Sequence, residues 1–381
     1  MLRRMSRGAD DVQGATREVD VLTELLRARV GQYFPDLPES AMGVRLRGVR
    51  QRPSSTLYAF EVGGSGSGRA HGLLVKQARM ATGHPAPRSP GVADRPRLAP
   101  FIDPATRRGL EYRALAAVQR QFDPADARYR ALRVYDFIPE RQAIVMELSD
   151  GPALRDRVVA ARLPWVHRSL DRAFENAGAW LHAFHGLREP VGEPRHTTPL
   201  EFVAVVRDLA GYLGETLGEA AFFDRVATRL SQQAKVLLPQ LLPSGLAHGD
   251  YAARNVLVGE EDRVTVIDIA GSWQVPIYED IAYFIVSLET AWAQLVSQGR
   301  MMGRDDLQRY RTSFLAGYFS AGAPPRDELR LYEALLLLDR WVARLWAASG
   351  SQGRSSFALR LANRSLRRML EDLVADPAGA H

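Results

Sequence analysis

The stretch HGDYAARNVLV, residues 248–258, sets a histidine, an aspartate and an asparagine inside eight residues, then runs into apolar β-formers. Downstream, VTVID (264–268) ends in a second aspartate, and the intervening GEEDR has turn composition. A hairpin built from these two runs brings Asn255, just before its first strand, to the same end as Asp268, at the close of its second. Two readings fit this pattern. One is a polar turn ahead of a buried strand. The other is phosphoryl transfer, which asks a protein to hold nucleotide phosphates, neutralise their charge and place an acceptor hydroxyl in line. Mg²⁺ takes hard oxygen ligands and keeps several waters, so the Asn255 amide oxygen and the Asp268 carboxylate suffice as its protein ligands. Asp250 can then accept or orient the hydroxyl proton.

The elements that must position these residues fall into a β-rich half and a helical half. Residues 1–16 read as disordered, and Thr16 as the cap of a helix to about Phe34, with Val19, Leu22, Leu25, Leu26 and Val30 on one face. Three strand-like runs follow, VRLRGVR (44–50), TLYAFEV (56–62) and GLLVKQ (72–77). GGSGSG (63–68) leads into a strand, whereas a phosphate-cradling loop opens a helix, so it reads as a flexible hairpin connection. Residues 80–103 are rich in Pro and Gly without periodicity and read as a long loop. A helix over 104–121 has Asp103 as its cap and Pro104 in its first turn. Strands around 133–137 and 143–148 precede a break at SDGP (149–152), after which the chain is mostly helical. ENAGAWLHAFHGL (175–187) is amphipathic and ends at Gly186. Its His182 and His185 have no evident metal partner and read as packing and solvent contacts, and the aromatic residues of the last helices read as core.

Composition removes several function classes. With 381 residues, 46% hydrophobic and 25% charged, the chain is long enough for two lobes with ordinary globular cores. The absence of cysteine excludes disulfides, thiolate metal sites and a Cys nucleophile. The net charge of +6 comes from arginines scattered among Asp and Glu, with no basic block, which argues against a nucleic-acid partner. The basic N-terminus has no apolar run behind it, so no signal peptide is expected. The longest apolar run, LYEALLLLDRWVARLW, is broken by charges at helical spacing and reads as an amphipathic helix, so no membrane span is expected. A cytoplasmic protein is the default expectation.

HGDYAARN followed by VID resembles the kinase-like superfamily, and most closely its aminoglycoside phosphotransferase and choline kinase branch. His-Gly-Asp, four residues, Asn and a hairpin ending in Asp all agree in order and spacing. The resemblance runs over roughly residues 40–300. It implies an α+β, two-lobed protein kinase-like fold, with a small β-rich lobe over 17–148 and a larger, mainly helical lobe over 149–381. It implies ATP or GTP with Mg²⁺ as cofactors and a small-molecule hydroxyl substrate. Residue by residue, Asp250 resembles the catalytic aspartate, and Asn255 and Asp268 the metal ligands. Lys76 stands where the family keeps its phosphate-binding lysine, and Glu111 looks like its ion-pair partner. Glu147 to Gly151, Ser149 included, resembles the hinge whose backbone holds adenine. Asp280 resembles the aspartate that braces the catalytic loop from a helix start, and His248 reads as structural support of that loop.

AARN also resembles the catalytic loop of protein tyrosine kinases. Two departures oppose that reading: Gly249 replaces their usual arginine, and the eleven residues between Asp268 and Asp280 leave no room for an activation segment. A departure from the preferred branch is RQRPSST (50–56), a phosphate-covering loop without glycine. There backbone amides or the hydroxyls of Ser54, Ser55 and Thr56 must approach phosphate, and a nucleotide-binding pseudokinase acting through partners stays open. Beyond Ile281, Arg outnumbers Asp and Glu, which tilts the acceptor from a polycation toward a neutral or anionic hydroxyl compound. Oligomeric state is not legible.

Overall fold

Strands form where branched and aromatic residues alternate, and five such runs make the first sheet. The structure, a computed structural model, describes residues 6–38, 43–52, 55–63, 70–78, 98, 102, 104–149, 151–162, 169–189, 191–195, 198–320, 322–349 and 356–375. Helix α1 (Ser6–Tyr33) precedes β1 (Val44–Gln51), β2 (Ser55–Val62) and β3 (His71–Ala78). Helix α2 (Pro104–Gln121), β4 (Tyr129–Arg130), β5 (Val134–Ile138) and β6 (Ala143–Glu147) follow. The sheet order is β1-β2-β3-β6-β5, every pairing antiparallel. Along β3, Leu73 and Val75 are fully buried against Leu22, Leu26 and Val30 of α1, with Phe60 and Val145 from neighbouring strands. Each such side chain contributes about 1.5–3 kcal/mol by leaving water. Strand periodicity of two therefore turns Lys76 to the sheet's other face.

Helix α1 starts at Ser6, so residues 6–16 are helical where disorder was expected. Extending an existing helix adds one hydrogen bond per residue without repeating the nucleation cost, and Thr16 therefore does not end it. Strands β2 and β3 pair from Val62↔His71 onward, and residues 64–68 of GGSGSG lie outside the described residues. Asp103, most of residues 80–103, and Ser54 lie outside the described residues.

The chain divides into two compact units, one of Met1–Ala86, Asp103–Gln119 and Leu132–Asp150, the other of Pro87–Ile102, Arg120–Ala131 and Gly151–His381. Strand β4 belongs to the second because it pairs in parallel with a later strand, so that unit is not continuous in sequence as a boundary at residue 148 implies.

The second unit contains α3 (Leu154–Ala160), α4 (Asp171–His185), β7 (Glu193–Pro194), α5 (Pro199–Leu217) and α6 (Ala220–Leu237). Next come β8 (Ser244–Leu246), β9 (Val256–Val258), β10 (Val264–Val266) and β11 (Trp273–Pro276). Helices α7 (Tyr278–Glu289), α8 (Trp292–Val296), α9 (Arg304–Phe319), α10 (Arg326–Ser349) and α11 (Ser356–Val374) complete it. Two small sheets, β4-β10-β9 and β7-β11-β8, sit among these helices. Helix α4 crosses α9 with backbones in close approach: a Cβ on Gly178 would overlap the Phe314 carbonyl, and one on Gly317 the Glu175 carbonyl. Tyr332 and Trp341 are buried as expected for the last helices, but Trp346 is half exposed. It directly follows the buried Leu345 and lies on the outward side of α10. No helix among the described residues is long and apolar enough to cross a membrane.

Candidate active site

In the first unit, Lys76 projects from β3 and donates to Glu111 of α2 through Nζ and Oε1 at 2.7 Å. Both side chains are largely buried, 14% and 7% exposed, so water screens the pair weakly. Arg108, one helical turn earlier, bonds the other Glu111 oxygen. That i,i+3 spacing is readable in RRGLE. A carboxylate shared by two cations is held in one orientation, and the lysine with it. The turn between β1 and β2 closes by an Arg52 N–H bond to the Ser55 carbonyl at 2.7 Å. Ser55 is buried and Thr56 half-buried in strand register. The Glu147 carboxylate accepts the Arg133 N–H at 3.0 Å, so this side chain holds the edge strand in place.

In the second unit, residues 248–255 form an irregular loop leading into β9, and β9 pairs with β10 with Val256 opposite Val266. Three bonds lace the loop to the strand end. Ile267 N–H donates to the Asn255 carbonyl (3.0 Å), Ala270 N–H to the His248 carbonyl (2.9 Å), and the His248 ring Nε2 meets the Ile267 carbonyl (3.1 Å). Asn255 and Asp268 are therefore one peptide unit apart across the hairpin end. Asp268 has φ +62, a left-handed conformation that Asp adopts more readily than most residues. Gly249 has φ +78, and a Cβ there would press on the Ala270 Cβ at 3.1 Å. Any side chain at 249, including the arginine of protein kinases, is strained in this loop.

Asp280, in the first turn of α7, receives the backbone N–H groups of His248 (2.6 Å, Oδ2) and Gly249 (3.0 Å, Oδ1). His185 of α4 contacts the same carboxylate at 3.3 Å and the Tyr318 hydroxyl at 2.7 Å. His185 is thus part of the loop's support, not the packing and solvent contact expected of it. Burial by itself would raise the Asp280 pKa, but the bonds from His185 and His248 outweigh it and hold the carboxyl below its ordinary range. His248 is fully buried, and that desolvation lowers its pKa against the pull of Asp280, Asp250 and Asp268. Its Nδ1 accepts the Asp250 N–H at 3.3 Å, which assigns the proton to Nε2 in a neutral ring. Tyr251, fully buried, anchors the loop to α4 by donating to the Ala177 carbonyl at 2.7 Å.

Asp250 itself is 40% exposed at its side chain. Arg254 and the Tyr283 hydroxyl (2.7 Å) both bond Oδ1, and the Asn255 amide nitrogen reaches Oδ2 at 3.1 Å. The Arg254 guanidinium loses some stability to burial, yet the Asp250 charge more than restores it, and its pKa is raised. The amide nitrogen of Asn255 being committed to Asp250, its Oδ1 is the polar atom left to face a ligand. With the Asp268 carboxylate this is a hard-oxygen pair, and it fits Mg²⁺. No cluster of three His, Cys, Asp or Glu ligands exists among the described residues.

The profile of the phosphotransferase enzyme family matches residues 103–332. No curated protein matches the sequence. Among solved structures, the macrolide 2'-phosphotransferase of Brachybacterium faecium is similar at 14% identity and TM-score 0.50, over 92% of this chain and 98% of that one. An AMP-bound spectinomycin phosphotransferase is similar at 12% identity and TM-score 0.51, over 93% and 97%. The ethanolamine kinase of Plasmodium vivax is similar at 10% identity and TM-score 0.51, over 86% and 81%. At such identities the likeness is one of fold: an N-terminal antiparallel sheet followed by a mainly helical part.

Proposed function

The chain belongs to the phosphotransferase enzyme family, and from that premise we propose that it moves the γ-phosphoryl group of ATP or GTP onto a hydroxyl of a small molecule. The observation that carries this reading is Asp250: a carboxylate fixed at both oxygens yet open to solvent, on a loop anchored by the buried His248, Tyr251 and Asp280. In this reading the acceptor hydroxyl hydrogen-bonds to Asp250, and its oxygen attacks the γ-phosphorus. The bond from that phosphorus to the β–γ bridging oxygen breaks, the nucleoside diphosphate leaves with the bond's electrons, and Asp250 takes the hydroxyl proton. A loose transition state needs positioning more than activation of the nucleophile, so holding the hydroxyl in line is the main task of Asp250.

Asn255 and Asp268 would hold Mg²⁺, which when bound neutralises charge on the phosphate oxygens. Lys76, held by Glu111 and Arg108, would grip nucleotide phosphate. Asp280, His185 and His248 do no chemistry in this scheme; they set the loop. The test is ADP or GDP release with Mg²⁺ across amino alcohols, sugars, nucleosides and aminoglycosides, beside Asp250→Asn. Turnover of one acceptor, reduced about 10²–10⁴-fold in the variant, is expected. Nucleotide binding with no turnover of any acceptor would favour a pseudokinase, and absence of nucleotide binding would end the catalytic reading.

A further inference from the structure

Next to the acceptor aspartate stands an aromatic side chain that carries a guanidinium on its face. Tyr283 of α7 bonds Asp250 with its hydroxyl, and the Arg340 guanidinium of α10 lies over its ring, 5.1 Å from the centroid. Arg340 Nε donates to the Thr290 hydroxyl at 2.9 Å, which fixes the side chain along the end of α7. Among the described residues no carboxylate pairs with Arg340, so both terminal nitrogens keep donors for something else. Arg344, one turn further along α10, bonds the Thr290 carbonyl and lies 5.8 Å from the ring centroid of the partly exposed Trp292. Arg254 is on Asp250 itself. One arginine thus already meets the charge of Asp250, and a second, Arg340, stands across the Tyr283 ring from it.

We propose that the acceptor is a hydroxyl compound carrying an anionic group, carboxylate or phosphate, which Arg340 engages while the hydroxyl sits on Asp250. The proposal rests on the assignment of Asp250 as the aspartate that meets the acceptor hydroxyl. The separation suits a small metabolite: Arg340 and Asp250 stand one tyrosine side chain apart, so both ends of a molecule of a few carbons are met at once. Guanidinium is the group chemistry favours here, because its planar fork matches carboxylate and phosphate oxygens in pairs. A polycationic acceptor would meet like charge at this place, and repulsion in a partly dry site is costly.

The experiment measures binding by calorimetry and turnover by nucleoside diphosphate release for matched compounds: glycerate and glycerol phosphate against glycerol, gluconate and glucose 6-phosphate against glucose and glucosamine. It is run on the full chain and on Arg340→Gln, Arg340→Lys and Arg225→Gln, the last an exposed arginine on α6 that controls for bulk charge. The anionic members should bind more tightly than their neutral partners. Arg340→Gln should cut that preference roughly ten- to hundredfold, Arg340→Lys should retain part of it, and Arg225→Gln all of it. Carboxylate and phosphate sources separate by which pair shows the larger preference. Equal affinity for neutral and anionic members, absence of binding included, overturns the proposal, as does a preference that survives Arg340→Gln. Arg340-dependent anion binding without turnover would keep the anion site and sink the kinase reading, whereas glucosamine turned over better than every anionic member would do the reverse.

Discussion

Asp250 and Asp280 belong to one network and share a side chain, yet their surroundings make them opposites. Asp280 is buried and held by two backbone N–H groups and an imidazole. Asp250 is 40% exposed and held by an arginine, a tyrosine hydroxyl and an amide. Backbone donors cannot move without the chain moving, so a carboxylate that collects them becomes a brace. Side-chain donors swing on rotatable bonds, so the carboxylate they hold keeps a fixed place and still exchanges partners with a ligand. Burial sharpens the difference, because the bonds to Asp280 act in a low dielectric and those to Asp250 partly in water.

The comparison breaks most directly by deleting each carboxylate. Asp280→Ala leaves the buried His248 N–H, the part-buried Gly249 N–H and His185 without their acceptor, and should cost about 3–5 kcal/mol in urea unfolding. Asp250→Asn should leave the unfolding midpoint nearly where it was while turnover collapses. Equal destabilisation by the two would show that Asp250 is also a brace. A smaller effect comes from Tyr283→Phe, which removes one bond from Asp250 and loosens its orientation. About a two- to tenfold fall in kcat/KM with unchanged unfolding is expected; no kinetic change would mean that the hydroxyl positions nothing.

The smallest effect is one of pH. Burial keeps His248 neutral in the fold, while in the unfolded chain it titrates near the ordinary value of 6.5. Below that value the unfolded state binds the extra proton, so stability declines as pH falls and recovers as it rises. The contribution reaches at most about 1.4 kcal/mol per pH unit, and His248→Asn should flatten that part of the stability curve. A variant with the same slope as the parent would place the pH dependence elsewhere.

How far the sequence speaks depends on distance along the chain. The hairpin of β9 and β10, the loop before it, the sheet strands and the seating of Lys76 on β3 were legible, because alternation, turn residues and spacing act over a few positions. The order His248, Asp250, Asn255, Asp268 and Asp280 carried the chemistry in the same local way. Arg108 on Glu111 is a one-turn pair and is legible in the same local way. By contrast, nothing near His185 announces that it meets Asp280, 95 residues later. Nor does the sequence join Tyr283 to Asp250, or Arg340 to Tyr283, since each contact exists only once α4, α7 and α10 have packed. Residue types and short spacings determined what reaction this chain could support. The tertiary structure decided which aspartate is a brace, which stays open, and which arginines stand beside it, because burial and partner choice are properties of neighbours that the chain brings together only on folding.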